Sequence, residues 1–380
     1  MTLTAQEQKE FLKRGFTRRN LGKIAAMITA GTTLPFYNEI ALAQASKIEN
    51  APPDAVMINA NENPMGPSEE ARNAVHAIVA QGGRYLFGET DKVAKILAEQ
   101  EGLKVTSIRI YPGSSAPLHQ SVLAFTSPTK SLVMGNPGYE AGALAAKFIG
   151  AKVVRVPLTS DYRHDVKAML AQGGPNAGLF YICNPNNPTG TLTPKADIEW
   201  LVENKPKGSV VMVDEAYTHI SEAPFNSDLV AKDKDVVVLR TFSKIYGMAG
   251  LRAGAAFAKP DLLAKLGGYS AGMLPITGMV AASTSLEQKD LIPKRRKIIA
   301  NVREETFNFL EKNKFHYVPS VSNCFMVDVK RPADDVVVAM RKDKVYIGRV
   351  WPAWPTYARV TVGTSEEMKK FQDAFLKVMA

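Results

Sequence analysis

Two cysteines and five histidines in 380 residues, none at metal-ligand spacing, leave no zinc site to read from the sequence. Cys183 and Cys324 each fall in an apolar, strand-like run, in regions that read as different domains, so both are expected as buried free thiols. A P-loop is missing as well, and so are internal repeats and low-complexity tracts. The mildly apolar stretch in the first 45 residues is interrupted by Gly31, Pro35, Asn38 and Glu39, which argues against a membrane span. The formal net charge of +10 comes from scattered side chains. The one dense basic run, Lys294-Arg295-Arg296-Lys297, lies in helix-like sequence and reads as a solvated helix face rather than a nucleic-acid contact. A fused DNA-binding domain is not expected ahead of the first strand-like runs.

What remains is the composition of an ordinary α/β protein, long enough for a large and a smaller domain. Apolar runs at Ile108–Tyr111, Ser131–Met134, Val153–Pro157, Leu179–Cys183, Val210–Val213, Val236–Leu239 and Ala253–Ala258 alternate with helical or loop segments. That alternation predicts a mostly parallel sheet. Such sheets bind ligands at the carboxyl ends of their strands, and polar residues follow several of these runs. Asn187 lies in Asn184-Pro-Asn-Asn187-Pro-Thr-Gly190, Asp214 and Tyr217 in Asp214-Glu-Ala-Tyr217, and Thr241, Ser243 and Lys244 in Thr241-Phe-Ser243-Lys244, with Arg252 downstream. A lysine amine can form a Schiff base with an aldehyde cofactor, and an aspartate can pair with a pyridinium nitrogen. Asn187 and Tyr217 suit a ring oxygen, while Thr241, Ser243 and Arg252 suit a phosphate. Gly113-Ser114-Ser115 opens a helix near Ala116-Pro117, where free amides favour an anion.

In these residues the chain resembles the fold-type I pyridoxal-phosphate enzymes and, within them, the class I/II aminotransferases. The segments Asn59-Ala-Asn61-Glu62-Asn63-Pro64-Met-Gly66-Pro67, NPNNPTG, TFSKIYGMAGLRAG and Arg359-Val-Thr-Val-Gly363-Thr are similar to the histidinol-phosphate aminotransferase-like branch. The resemblance implies pyridoxal 5'-phosphate as cofactor and a seven-stranded large domain over residues 81–285, with its last strand reversed. It also implies an arm at 46–80 that is part of a smaller α+β domain completed by 286–380. That smaller domain is expected to contain a long helix, Leu286–Asn313, strands Cys324–Val329, Val345–Gly348 and Arg359–Val362, and a closing helix Glu366–Met379. Lys244, Asp214 and Tyr217 take the catalytic places, and Tyr139 stacks on the pyridine ring. The resemblance further implies that Tyr85 reaches the cofactor phosphate of a neighbouring subunit, so that a homodimer is expected, and that Asn61 lies with the substrate residues. Arg359 grips the substrate α-carboxylate, as a planar bidentate donor can. Arg349 stands near a position used for a second anionic group, with an exposed surface arginine as the competing reading.

Three departures bear on substrate: Ala116 where an acidic residue is common, Glu140 directly after Tyr139, and Trp351 and Trp354 just after Arg349. The two indoles could line an aromatic or cationic substrate pocket or pack the small domain. Residues 1–45 resemble a twin-arginine export signal, with Arg18-Arg19 and small-residue sites at Ala41-Leu-Ala43 and Ala43-Gln-Ala45. The expectation is an exported, periplasmic or secreted, dimeric aminotransferase that moves an amino group between an amino acid and a 2-oxo acid. The same fold also supports amino-acid decarboxylases and oxygen-dependent oxidases, and a non-catalytic binding protein is a further alternative.

Overall fold

The computed structural model describes residues 4–29, 42, 51–269 and 273–380. Its strands are β1 (Val56–Ile58), β2 (Ile108–Tyr111), β3 (Ser131–Asn136), β4 (Val153–Pro157), β5 (Ala177–Cys183), β6 (Val210–Asp214), β7 (Val236–Thr241), β8 (Gly254–Phe257), β9 (Cys324–Asp328), β10 (Val345–Trp351) and β11 (Trp354–Thr361). Seven of them form one sheet in the order β2-β8-β7-β6-β5-β3-β4. Every residue of β5, β6 and β7 is buried, because helices cover both faces; their apolar runs are therefore continuous rather than alternating. The parallel pairs β3–β4, β5–β6 and β6–β7 are linked through helices Ala141–Phe148, Lys195–Asn204 and Ser227–Ala231. β8 runs antiparallel to both neighbours.

That reversal matters for chemistry. The carboxyl ends of β2 and β7 share an edge, and the amino end of β8 opens at the same edge, with Gly254 opposite both Tyr111 and Thr241. Arg252, just ahead of β8, is thereby placed beside the turn after β2. Gly113 in that turn has φ +91, and a methyl group on it would overlap the Arg252 guanidinium.

The second sheet has the order β1-β10-β11-β9. β1 was not anticipated from sequence: three residues near the start of the chain pair in parallel with β10, Val56 opposite Val345 and Ile58 opposite Ile347. The helix that follows, Glu69–Val79, packs on helix Ile276–Glu287. The expected single helix Leu286–Asn313 is two helices, Ile276–Glu287 and Leu291–Lys312, with Gln288 extended between them. Pro293 lacks an amide hydrogen and its ring clashes with the carbonyl four residues back, so a helix can contain it only in a first turn.

The basic run at 294–297 lies on Leu291–Lys312 and is only in part the solvated face expected: Lys294 and Lys297 are exposed, the two arginines are not. Arg295 is buried and donates to the carbonyls of Ile245 and Gly66, and Arg296 donates to that of His219. Arg295 thus ties the helix to the loop carrying Lys244, and Arg296 ties it to the turn after β6. Ahead of the sheets, helices Ala5–Lys13 and Arg18–Thr29 pack on the body through Phe11, Phe16, Leu21 and Ile24. Arg14 donates to the carbonyls of Leu123, Ala124 and Thr126, at the carboxyl end of helix Ser115–Phe125. The small-residue sites at 41–45 lie, except for Leu42, outside the described residues. Among the described residues no helix is long and apolar enough to cross a membrane.

Candidate active site

At the shared edge of the large sheet lies a solvent-open cavity whose walls include Ser114, Ser115, Tyr139, Asn187, Asp214, Tyr217, Thr241, Ser243, Lys244 and Arg252. The residues picked out after separate strands thus meet in one place. Lys244 is buried, with Nζ donating to the Asn61 carbonyl at 2.8 Å and lying 5.5 Å from the centre of the Tyr217 ring. The Tyr217 hydroxyl accepts from Asn61 Nδ2 at 3.0 Å and Asn187 Nδ2 at 3.3 Å. Asn61 adopts φ 52, a left-handed conformation that asparagine tolerates better than most residues. It is clamped there by Thr361, whose hydroxyl accepts from its amide and donates to its side-chain oxygen. Asn63 Nδ2 holds the carbonyls of Lys244 and Ile245. The loops bearing Asn61 and Lys244 are therefore fixed against one another.

Two side chains of the cavity wall carry a charge at a disadvantage. Asp214 is buried at the end of β6, and loss of water raises its pKa from 3.8 to about 6, although Tyr181, the Ala216 amide and Lys244 all favour the ionised form. Arg252 donates to neutral acceptors, the carbonyls of Pro112 and Ala249 and the Ser243 hydroxyl, and burial lowers its pKa. Near it, the Ser243 amide donates to Thr241 Oγ1 and helix Ser115–Phe125 begins. A guest with a cationic ring atom at one end and a phosphate at the other would relieve both. A phosphorylated pyridine aldehyde is such a guest, and Lys244 is an amine within the same cavity.

Arg359 is fully buried, donating to Asn187 Oδ1 at 2.9 Å and to the Asn59 carbonyl at 2.6 Å. Arg349 is neither an exposed surface arginine nor open to solution: it is buried, bonded to Glu140 at 3.1 Å, with its guanidinium 4.5 Å from the Trp351 ring centre. Trp351 is buried too, its Nε1 donating to the Gly138 carbonyl. Trp354 does not join the cavity. It packs against Tyr162 and Tyr357 in the apolar cluster that also holds Trp351, Val318 and Met326, and Trp351 does not line the cavity either. Tyr85 is 70% exposed beside Phe87 and is not part of this chain's cavity wall.

Sequence reasoning missed Tyr181, whose hydroxyl donates to Asp214 Oδ2 at 3.0 Å. The signal was present: Tyr181 is two residues before cavity-lining Cys183 on β5, hence on the same face. Cys183 and Cys324 are both buried free thiols.

The model of the family described as aminotransferase class I and II matches residues 53–375. The chain belongs to that family. Among the relatives of this aminotransferase is the histidinol-phosphate aminotransferase of Symbiobacterium thermophilum, 34% identical over 84% of this chain and 90% of that protein. A crystal structure of a candidate histidinol-phosphate aminotransferase from Erwinia carotovora atroseptica superposes with a TM-score of 0.82 at 31% identity, covering 87% of this chain and 98% of that one. The histidinol-phosphate aminotransferase of Sinorhizobium meliloti, solved with pyridoxal-5'-phosphate, shares the fold at a TM-score of 0.78 and 24% identity, over 90% of this chain and 94% of that one. The aminotransferase fold thus spans nearly all of the chain after the N-terminal helices.

Proposed function

We propose that the protein is an exported, homodimeric, pyridoxal-phosphate-dependent aminotransferase acting on an amino acid and a 2-oxo acid. The observation that carries the reading is the paired charge imbalance across one cavity, Asp214 with a raised pKa and Arg252 with a lowered one, with Lys244 in the same wall.

When bound, pyridoxal phosphate supplies an aldehyde and an electron-accepting ring. Asp214 would face the ring nitrogen and keep it protonated. Ser115, Ser243, Arg252 and the first turn of helix Ser115–Phe125 would hold the phosphate. Asn187 and Tyr217, already linked by a hydrogen bond, would set the angle of the ring. Lys244 Nζ is the group that would hold the aldehyde at rest and, once released, move a proton to and from the substrate α-carbon. Asn61 and Tyr217 restrict where that amine can go. Arg359, oriented by Asn187 and Asn59, would receive the α-carboxylate through two parallel hydrogen bonds.

Two further parts of the proposal rest on surfaces. Tyr85 and Phe87, 70% and 65% exposed with ring centres 5.8 Å apart, suit burial against a second copy, in which Tyr85 would reach the partner's cofactor phosphate. Arg18 and Arg19 are exposed on a segment whose Leu21 and Ile24 are covered, a presentation open to an export receptor. Replacing both arginines with lysine should leave active, cofactor-loaded enzyme in the cytoplasm. A screen of amino donors against purified protein, with and without added oxo acid, tests the reaction class. Turnover that needs no oxo acid would overturn transamination.

A further inference from the structure

The residue at the far end of the Arg359 side of the site is set by a fault in the small sheet. β10 and β11 pair Gly348 with Arg359 and Val350 with Ala358, so two residues of β10 stand opposite one of β11. Arg349 is the inserted residue of that bulge. A bulge re-aims a side chain that regular alternation would have sent elsewhere. Here it directs Arg349 out of the small sheet to Glu140, at the start of helix Ala141–Phe148 on the large sheet, at 3.1 Å.

The pair adjoins the cavity wall through its neighbours without lining it. Glu140 directly follows Tyr139, which lines the cavity. Arg349 and Arg359 both lie against the Trp351 indole, at 4.5 and 5.4 Å from its centre, and Arg359 is bonded to cavity-lining Asn187. On the transaminase reading, a substrate whose carboxylate is held by Arg359 would carry its side chain toward the neighbouring Arg349, since both guanidinium groups lie against one indole. A second carboxylate or a phosphate arriving there meets a guanidinium already matched by Glu140 and stacked on an indole. To bind, it must displace Glu140 from a largely buried pair and leave that carboxylate facing the newcomer, an arrangement of like charges. A side chain without charge leaves the pair intact and meets the Tyr139 ring, which lines the cavity.

We propose that Glu140 is a specificity-determining residue that neutralises Arg349 and turns the pocket away from amino acids with a second anionic group, toward those with an uncharged, aromatic or apolar side chain. The inference rests on the transaminase reading above.

The test uses purified holoenzyme as wild type, Glu140→Gln and Glu140→Gln/Arg349→Met. The amino-transfer half-reaction is followed with glutamate and with phenylalanine, and binding of two unreactive acids, maleate and hydrocinnamate, is measured by calorimetry. Wild type should favour phenylalanine and hydrocinnamate. Glu140→Gln should raise the glutamate-to-phenylalanine ratio of kcat/KM, and the maleate-to-hydrocinnamate affinity ratio, by about tenfold or more, as close charge pairs at binding sites couple by roughly 1.5 kcal/mol or more. The double variant should lose that gain, which shows that the freed guanidinium produces it. A wild type that prefers glutamate and maleate, or a Glu140→Gln variant with unchanged ratios, overturns the proposal. Absence of amino transfer with every donor would strike the transaminase reading alone, because the calorimetric ratios still decide the role of Glu140.

Discussion

Tyr181 donates a hydrogen bond of 3.0 Å to Asp214 Oδ2 from two residues before the end of the neighbouring strand. Burial pushes the Asp214 pKa up and this bond pulls it down. The bond therefore helps keep the carboxylate ionised where a cationic ring nitrogen has to be met.

Removing it should move the pH dependence of cofactor binding in a known direction. In Tyr181→Phe the Asp214 pKa rises further, so affinity should begin to fall at a higher pH as the solution is acidified. The shift should be about one pH unit, the low end of a charged hydrogen bond worth roughly 1.5 kcal/mol. Titrating cofactor into cofactor-free protein from pH 5 to 8, followed by visible absorbance, measures it. Superimposable profiles for the variant and wild type would contradict the assignment.

The same carboxylate should make the cofactor-free protein less stable than it could be. Its folded pKa of about 6 lies above the ordinary 3.8, so between those values the folded state binds more protons than the unfolded one. Stability is then lost as pH rises through that window, up to about 3 kcal/mol above it. Asp214→Asn removes the penalty. The cofactor-free variant should melt higher than wild type at pH 7 and the difference should vanish near pH 4. Melting curves of both at several pH values decide the matter.

Arg240 lies under the site in a buried network, bonded to Glu215 at 2.8 Å and to Glu101, and 3.9 Å from the Phe225 ring centre. Glu101 is pulled below the usual carboxylate range despite its burial, because Arg240 and Ser227 stabilise its charge. Arg240→Met would strand both carboxylates, and the expected loss is about 3–5 kcal/mol. Denaturant unfolding measures it. A loss below about 1 kcal/mol, the ordinary value for an exposed pair, would show that the network is not the strut it resembles.

For Arg359→Ala, the concentration of amino-acid substrate needed should rise far more than cofactor affinity changes. Charge-assisted hydrogen bonds of this type are worth about 1.5–3 kcal/mol. Steady-state KM and the cofactor dissociation constant, measured on one preparation, separate the two effects.

The large sheet was legible because its strands are short apolar runs separated by helical segments, and the residues around the cofactor site follow those runs directly. β1 was not: three residues whose partner lies near position 345 leave no local pattern, and their strand form depends on that distant pairing. Tyr181 was hidden by its own strand, where an aromatic is an ordinary core residue. Trp354 takes the second of its two readings, packing in the small domain, and closeness to Arg349 in sequence could not decide between them. The Glu140–Arg349 pair joins the two sheets across a bulge, and no spacing rule within one element announces it.

The central claim is that Lys244 holds the cofactor. Reducing the purified holoenzyme with borohydride and mapping its peptides by mass should place a single phosphopyridoxyl adduct on Lys244. A folded Lys244→Ala protein should carry no adduct and lose the visible absorbance of lysine-bound cofactor. An adduct on another lysine, or retained absorbance in that variant, would contradict the account.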